Sequence, residues 1–469
     1  MFRKYRKIIS LFNIFLLLVF LCTAGLGCRV TSPEAAKKMQ PLTLNFWSVW
    51  DDEDAYADII KDYQVAHPNI TINYRKFTYE EYESQLLNAL AEDRGPDIFS
   101  LPQSWLLRYQ NKLLPLPKEV TMAYQTIQQG ITKEKVITLK KTPTPTTREI
   151  KDNFADTVLD DASIDGQVYG LPLSLETLIM LYNKDILNQA GVAKVPAAWK
   201  DFQDAVAKIS KVDEQNNVIL SGTALGTGGN VEHAFDILSA LLMQNQAVMT
   251  DVNGRPVFFQ ATSINNKTET PGATALQFYA DFASPQKAVY SWNASSTDSL
   301  DAFISGKVGF IFDYNFNLPV IRARAPKLNF GLAPLPQIAG NPTVNYANYW
   351  LQTVSKKTKY QDEAWDFIIY MATKQEEAQK YLDVTKRPTA LKGLIDKQLQ
   401  DEDLYPAASQ VLTAKTWYKG YDFAAANQAI TDMLDKYVTL DPVENERQIR
   451  DLLSITLQKI SQTLVPPST

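Results

Sequence analysis

From Leu42 to Phe99 the chain switches repeatedly between two periodicities, and this constrains the fold more than any other feature of the sequence. Leu42-Thr43-Leu44-Asn45-Phe46-Trp47 sets apolar against polar residues in turn, the period of a half-buried strand. Tyr56, Ile59, Ile60 and Tyr63 then share one helical face. The acidic run Asp51–Asp54 suits the positive end of that helix, and Pro68 closes it. Ile70, Ile72 and Tyr74 alternate again. Tyr79, Tyr82, Leu86 and Leu90 return to helical spacing, and Gly95-Pro96-Asp97 turns into the short apolar strand Ile98-Phe99. Strand, helix, strand, helix, strand predicts an α/β fold on a parallel sheet, with helices covering its faces.

The alternation continues. Trp199, Phe202, Val206 and Ile209 form a helical face, Val231–Met249 predicts a longer buried helix, and Val308–Phe312 a strand. The last third is mainly helical, with apolar faces at Ala364–Met371, Ile430–Tyr437 and Ile449–Ile460. A length of 469 residues allows two or three domains. Two stretches interrupt the pattern. Lys118–Asn153, with Thr142-Pro143-Thr144-Pro145-Thr146, predicts an exposed loop or insertion; Ala333–Pro342, with three prolines and a glycine, predicts a crossing between lobes. The expected layout is two lobes that exchange chain more than once. The first takes residues 42–174 and 342–385, the second 175–338 and 386–465.

Ahead of this body, Arg3, Lys4, Arg6 and Lys7 precede an apolar run from Ile8 to Leu26 that ends Thr23-Ala24-Gly25-Leu26-Gly27-Cys28. A basic start, an apolar core and a small-residue exit predict a signal peptide over residues 1–27. The pattern resembles a bacterial lipoprotein signal, which implies lipidation of Cys28; an uncleaved membrane anchor is the other reading that the apolar length allows. Residues 28–41 then read as a short tether. After Cys28 the chain has no cysteine, which suits the oxidising side of a membrane. A soluble body held at the extracytoplasmic face of the cell membrane is expected either way.

Composition narrows the function. Loss of residues 1–27 removes four basic residues and no acidic one, so the net charge moves from −5 to −9. Beyond the N-terminus basic residues cluster no further than pairs such as Lys140–Lys141, which argues against a nucleic-acid partner. Two cysteines make no disulfide scaffold. Two histidines, His67 and His233, leave little material for a zinc centre or histidine catalysis, and neither cofactor nor metal is expected.

Four segments carry a resemblance. They are Leu42–Trp47 with His67-Pro68-Asn69-Ile70; Leu86–Phe99; Gly166–Pro172 followed by Leu175-Glu176-Thr177 and Leu181–Asp185; and Phe303–Phe310. In order and spacing over about 300 residues they resemble the extracellular solute-binding proteins of ABC importers, the group typified by maltose-binding protein. The resemblance implies two α/β lobes of the periplasmic-binding-protein type (type II), joined by two or three crossings. It implies a solute, usually a mono- or oligosaccharide, held in the cleft and passed unaltered to a permease. The same architecture serves polyol phosphates, polyamines and ferric ion in relatives. From another class, a secreted glycan-cleaving enzyme would need a carboxyl pair flanking a bond, and no motif here pairs the acids.

A sugar presents hydroxyls at its edge and C–H groups on its face, so its site needs flat aromatics beside placed donors and acceptors. Trp50 and Asp51 end the first strand, and Gln103 and Ser104 follow Ile98-Phe99, where open α/β sheets bind ligands. Trp47 and Trp105 read as packing. Glu176 is a lone carboxylate in the apolar tract Leu171–Tyr182, which requires a partner or a ligand; the resemblance places it at the hinge, facing sugar hydroxyls. Asp313, Tyr314 and Phe316 follow the Val308–Phe312 strand, and the resemblance sets Phe316 where a tryptophan stacks on sugar. Trp350 and, in a polar setting, Trp417 with Tyr421 and Asp422 complete the expected site. The glycine-rich Gly222–Asn230 lacks the Gly-Lys-Ser/Thr ending of a phosphate loop and reads as a turn at the cleft rim.

Overall fold

The opening strand, Leu42–Val49, lies inside a sheet in the computed structural model, which describes residues 32–129, 133–264, 266–441 and 444–466. The signal segment and Cys28 lie outside the described residues. Leu44 and Phe46 point into the core as the alternation requires. Leu42–Val49 pairs in parallel with Ile70–Phe77 on one side and Ile98–Pro102 on the other. Beyond Ile98–Pro102 the sheet is antiparallel: Trp350–Ser355 follows, and it carries both Leu113–Leu114 and Gly170–Pro172. The second lobe repeats this mixture. Val218–Thr223 and Val308–Asp313 are parallel, while Ile179–Asn183 runs antiparallel between Val308–Asp313 and Phe330–Pro334.

The expectation of purely parallel sheets is thus corrected. The βαβ units are parallel, but strands that enter after a return between lobes are not bound by the crossover rule and insert in the opposite sense.

The crossings form a small sheet of their own, with Asn345–Asn348 between Glu176–Thr177 and Ala414–Lys415. Leu175 packs in the first core and Leu178 in the second; Tyr346 packs in the second and Ala347 in the first. The lobes therefore change hands within a few residues, on a hydrogen-bonded ribbon suited to act as a hinge. Ala333–Pro342 does not cross: Phe330–Pro334 is a strand of the second sheet. Nor does the final return begin at 386, since Ala390, Leu391, Leu394 and Ile395 still pack in the first core.

Two further expectations change. The tether segment is helical at Pro33–Lys38, capped by Ser32 and docked through buried Ala35, with Lys38 Nζ 2.6 Å from Asp362 and 3.2 Å from Glu363. Its docking rests on contacts with distant residues, which leave no local periodicity. The 118–153 insertion is no loop: Glu119–Gln129 and Lys133–Pro143 pair as a long antiparallel hairpin whose Val120, Met122 and Val136 are buried. The Val231–Met249 helix is shorter than expected, Ala234–Gln244, because Gly228–His233 forms the cleft rim.

Candidate functional site

Both parallel strand pairs point their carboxyl ends at the gap between the lobes, and there a cavity of about 800 Å³ opens, walled by both lobes and the hinge. Of the expected residues, Trp50, Asp51, Gln103, Ser104, Glu176, Phe316 and Trp350 line it. Trp50 turns out of the first strand at φ 71, a left-handed conformation rare for a bulky residue, and its ring remains 44% exposed. It stacks on Tyr79 at 5.4 Å and on Phe316 of the opposite lobe at 6.1 Å; Phe316 in turn stacks on Tyr314 at 5.6 Å. Trp350 stands edge-on to Trp50 at 6.4 Å. Trp105, expected as packing, also lines the cavity. The result is a column of aromatic faces running from one jaw to the other.

Polar groups fill the floor. Asp51 is committed: Oδ1 accepts from Arg387 Nη2 at 2.9 Å and Nε at 3.2 Å, and Oδ2 from the Tyr381 hydroxyl at 2.8 Å. Glu176 is buried at 3% exposure, with one oxygen accepting the Asn315 N–H at 3.2 Å. Its Oε1 lies 3.7 Å from Arg387 Nη1 and has no hydrogen-bond partner. Burial pushes the Glu176 carboxyl up to about 7 against the pull of Arg387. Gln103 Oε1 is likewise a buried acceptor without a partner. Unpaired buried acceptors are costly, and two of them facing one cavity mark places for incoming donors.

The second lobe adds a cluster that the sequence reading passed over. His233 Nε2 lies 3.1 Å from Asp313 Oδ1 and 3.7 Å from Glu232, and Nδ1 is 4.0 Å from Asp236. Burial lowers the His233 pKa, but the bond to Asp313 and the surrounding carboxylates outweigh it and raise it to about 9. Burial, with Asp313 nearby, pushes Glu232 up to about 7. Glu232, His233 and Asp313 offer one ligand atom each within 4.8 Å, the only such group among the described residues. With its proton held, His233 forms an ion pair with Asp313 and lies close to Glu232.

The remaining expected residues lie elsewhere. Asp313 and Tyr314 stand behind the wall: Asp313 accepts from the Tyr314 N–H, Asn317 and His233, and the Tyr314 hydroxyl donates to Asp236 at 2.7 Å. Trp417 is buried in the second core, stacked on Phe235 at 5.5 Å, with Nε1 donating to Ser239 at 2.8 Å. Asp422 caps the Phe423–Tyr437 helix through the Ala425 N–H, and the Tyr421 N–H bonds Thr463 O. None of these three lines the cavity. That helix supplies Phe423, Asn427 and Thr431 instead, whose i, i+4, i+8 spacing was the available signal. Tyr79 and Arg387 were also missed: Tyr79 opens a helix two residues after the strand Ile70–Phe77, a strand-end position that was read only for its helical spacing, and Arg387 follows the helix Gln375–Thr385, away from any strand end. The Gly228 and Gly229 N–H groups bond Asp435, at 2.6 and 3.0 Å, so the rim turn offers no phosphate cradle.

Comparison with known proteins agrees with this geometry. A putative binding protein of Brucella abortus is 24% identical over 336 residues, covering 69% of each chain. The multiple sugar-binding protein of Streptococcus mutans is 29% identical over 270 residues, covering 57% of this chain and 60% of that one. In structure, the cyclic α-maltosyl-1,6-maltose binding protein of Arthrobacter globiformis superposes with a TM-score of 0.70 at 18% identity, over 90% of this chain and 99% of that one. The family model for bacterial extracellular solute-binding proteins matches residues 58–410, and the chain belongs to that family.

Proposed function

We propose that the chain captures a mono- or oligosaccharide in this cleft and hands it, unaltered, to the membrane permease of an ABC importer. One observation carries the reading: a cross-lobe aromatic column stands beside two buried acceptors, Gln103 Oε1 and Glu176 Oε1, that lack donors. Stacking faces and open acceptors are what a polyhydroxylated ring requires. The sugars named for related proteins point the same way. A phosphorylated polyol would meet Asp51, Glu176 and Glu232, while the two cations on the cavity wall, Arg387 and His233, are already paired with Asp51 and Asp313. Capture works by closure: a solute that touches both jaws favours the closed arrangement by its differential affinity, with the hinge ribbon taking up the motion. Lipid on Cys28 holds the body at the membrane; among the described residues no helix is long and apolar enough to cross one. The chain is a carrier and not an enzyme.

A thermal-shift screen of neutral mono- and oligosaccharides tests this. At a hundredfold excess over Kd a bound sugar adds about 2.7 kcal/mol of stability, a shift of several degrees. Mass analysis should recover the sugar intact. No shift with any saccharide rejects the sugar reading, and cleavage products reject the carrier reading.

A further inference from the structure

We infer that the hairpin formed by Glu119–Gln129 and Lys133–Pro143 rests against anionic lipid headgroups of the membrane that holds the chain. The inference builds on the membrane-anchored reading of the N-terminus. Two independent observations carry it, charge and reach.

From Cys28 onward the chain holds 43 basic and 52 acidic residues, yet residues 118–143 hold five lysines against two glutamates. That segment is +3 in a body that is otherwise −12. Lys118, Lys135, Lys140 and Lys141 are exposed; among the hairpin residues whose side chains are described, Glu119 is the one acid, 2.8 Å from Lys141. At the hairpin root Glu34 and Asp362 also act on Lys141, and Lys38 already pairs with Asp362 and Glu363. A basic patch on an acidic protein is attracted to an anionic surface while the rest of the body is repelled, which fixes orientation as well as contact.

Reach gives the second constraint. The Pro33–Lys38 helix packs directly on both hairpin strands, so the chain enters the fold at the hairpin root. From Cys28 to Ser32 four residues span at most about 14 Å. Each strand of the hairpin has 11 residues, about 36 Å of extended chain. An anchor on so short a leash keeps the hairpin root, with Lys118, Lys140 and Lys141, beside the bilayer, and a hairpin that lies along the surface brings Lys135 within range of the anionic field, which decays over about 8 Å. The hairpin pairs with no other strand among the described residues; helices cover the face that buries Val120, Met122 and Val136, and the exposed lysines stand clear of it.

The test uses the full chain reconstituted in vesicles, where the N-terminal segment holds it whether or not Cys28 carries lipid. Lysines are acylated with a water-soluble reagent on vesicles of phosphatidylcholine alone, or of equimolar phosphatidylglycerol and phosphatidylcholine, with the exposed Lys200 of the second lobe as reference. We expect Lys118, Lys135 and Lys140 to react about threefold or more slowly on the anionic vesicles, with the difference lost in high salt. In Lys135→Gln/Lys140→Gln/Lys141→Gln, Lys118 should react equally on both, while the saccharide-induced thermal shift persists. Equal labelling of the unaltered protein on the two vesicle types overturns the inference, whether both are protected or neither is. Lipid at Cys28 and sugar binding are read by mass and by thermal shift, so their failure is separately visible.

Discussion

The two jaws of the cleft are built differently. The first lobe presents aromatic rings at strand ends, Trp50 and Trp350 with Trp105, over an Asp51 held by bonds from Arg387 and Tyr381. The second lobe presents helix ends and faces around two titrating groups, Glu232 and His233, with Asp313 bonded to His233 from behind. One jaw supplies shape that does not change with pH; the other supplies charge that does. The contrast separates residues that hold a lobe together from residues that hold a ligand, and two tryptophans make the division measurable.

Trp417→Ala should give the largest effect and should give it in stability. Trp417 is buried against Phe235 and Phe258 and bonded to Ser239. Truncation of such a ring costs about 3–5 kcal/mol. The denaturant midpoint should fall accordingly, while sugar affinity of the folded fraction stays within about twofold, because the ring does not reach the cavity. A large affinity loss at unchanged stability would return Trp417 to the site and blur the division between jaws.

The charged jaw should make the ligand-free protein lose stability as pH rises. Glu176 and Glu232 are raised from 4.5 to about 7 and His233 from 6.5 to about 9, so in each case the folded state holds its proton longer than the unfolded chain. The stability these three groups contribute is fully present below pH 4.5, falls as the carboxyls ionise through about 7, and falls further as His233 loses its proton through about 9. The His233 part is about 3 kcal/mol at most. In His233→Asn, an asparagine tolerates the left-handed backbone at φ 59, and urea midpoints should flatten between pH 6.5 and 9. An unaltered protein already flat across that range would dissolve the proposed ion pair.

This asymmetry also explains what could be read from the sequence. Strand ends are local: alternation at Leu42–Trp47 and Ile98-Phe99 located Trp50, Asp51, Gln103 and Ser104 on the first wall. Glu176 was visible as a charge out of place in an apolar tract. The second wall depends on contacts between distant residues. Phe423, Asn427 and Thr431 look like any amphipathic helix until packing shows which flank meets the cleft, and Trp417 looks exposed because its neighbours Lys415 and Lys419 are polar. Arg387 belongs to the site only because the segment after the helix Gln375–Thr385 passes beside Asp51. The mixed sheets and the docked hairpin escaped for the same reason: pairing direction and docking are set between segments, and period alone is silent on them.

Trp50 is the smallest and sharpest test of the aromatic jaw. Nearly half its ring is exposed, so removing it should hardly change stability; its stack with Tyr79 and Phe316 is where a sugar face would lodge. Trp50→Ala should weaken saccharide binding by about tenfold, near 1–2 kcal/mol, by calorimetry. The backbone supplies an internal control. At φ 71 alanine keeps the strain that tryptophan bears, whereas glycine relieves it, so Trp50→Gly should match the alanine variant in affinity but melt at the same or a higher temperature. If glycine instead recovers affinity, the strained turn and not the ring limits binding, and the aromatic column is packing between jaws.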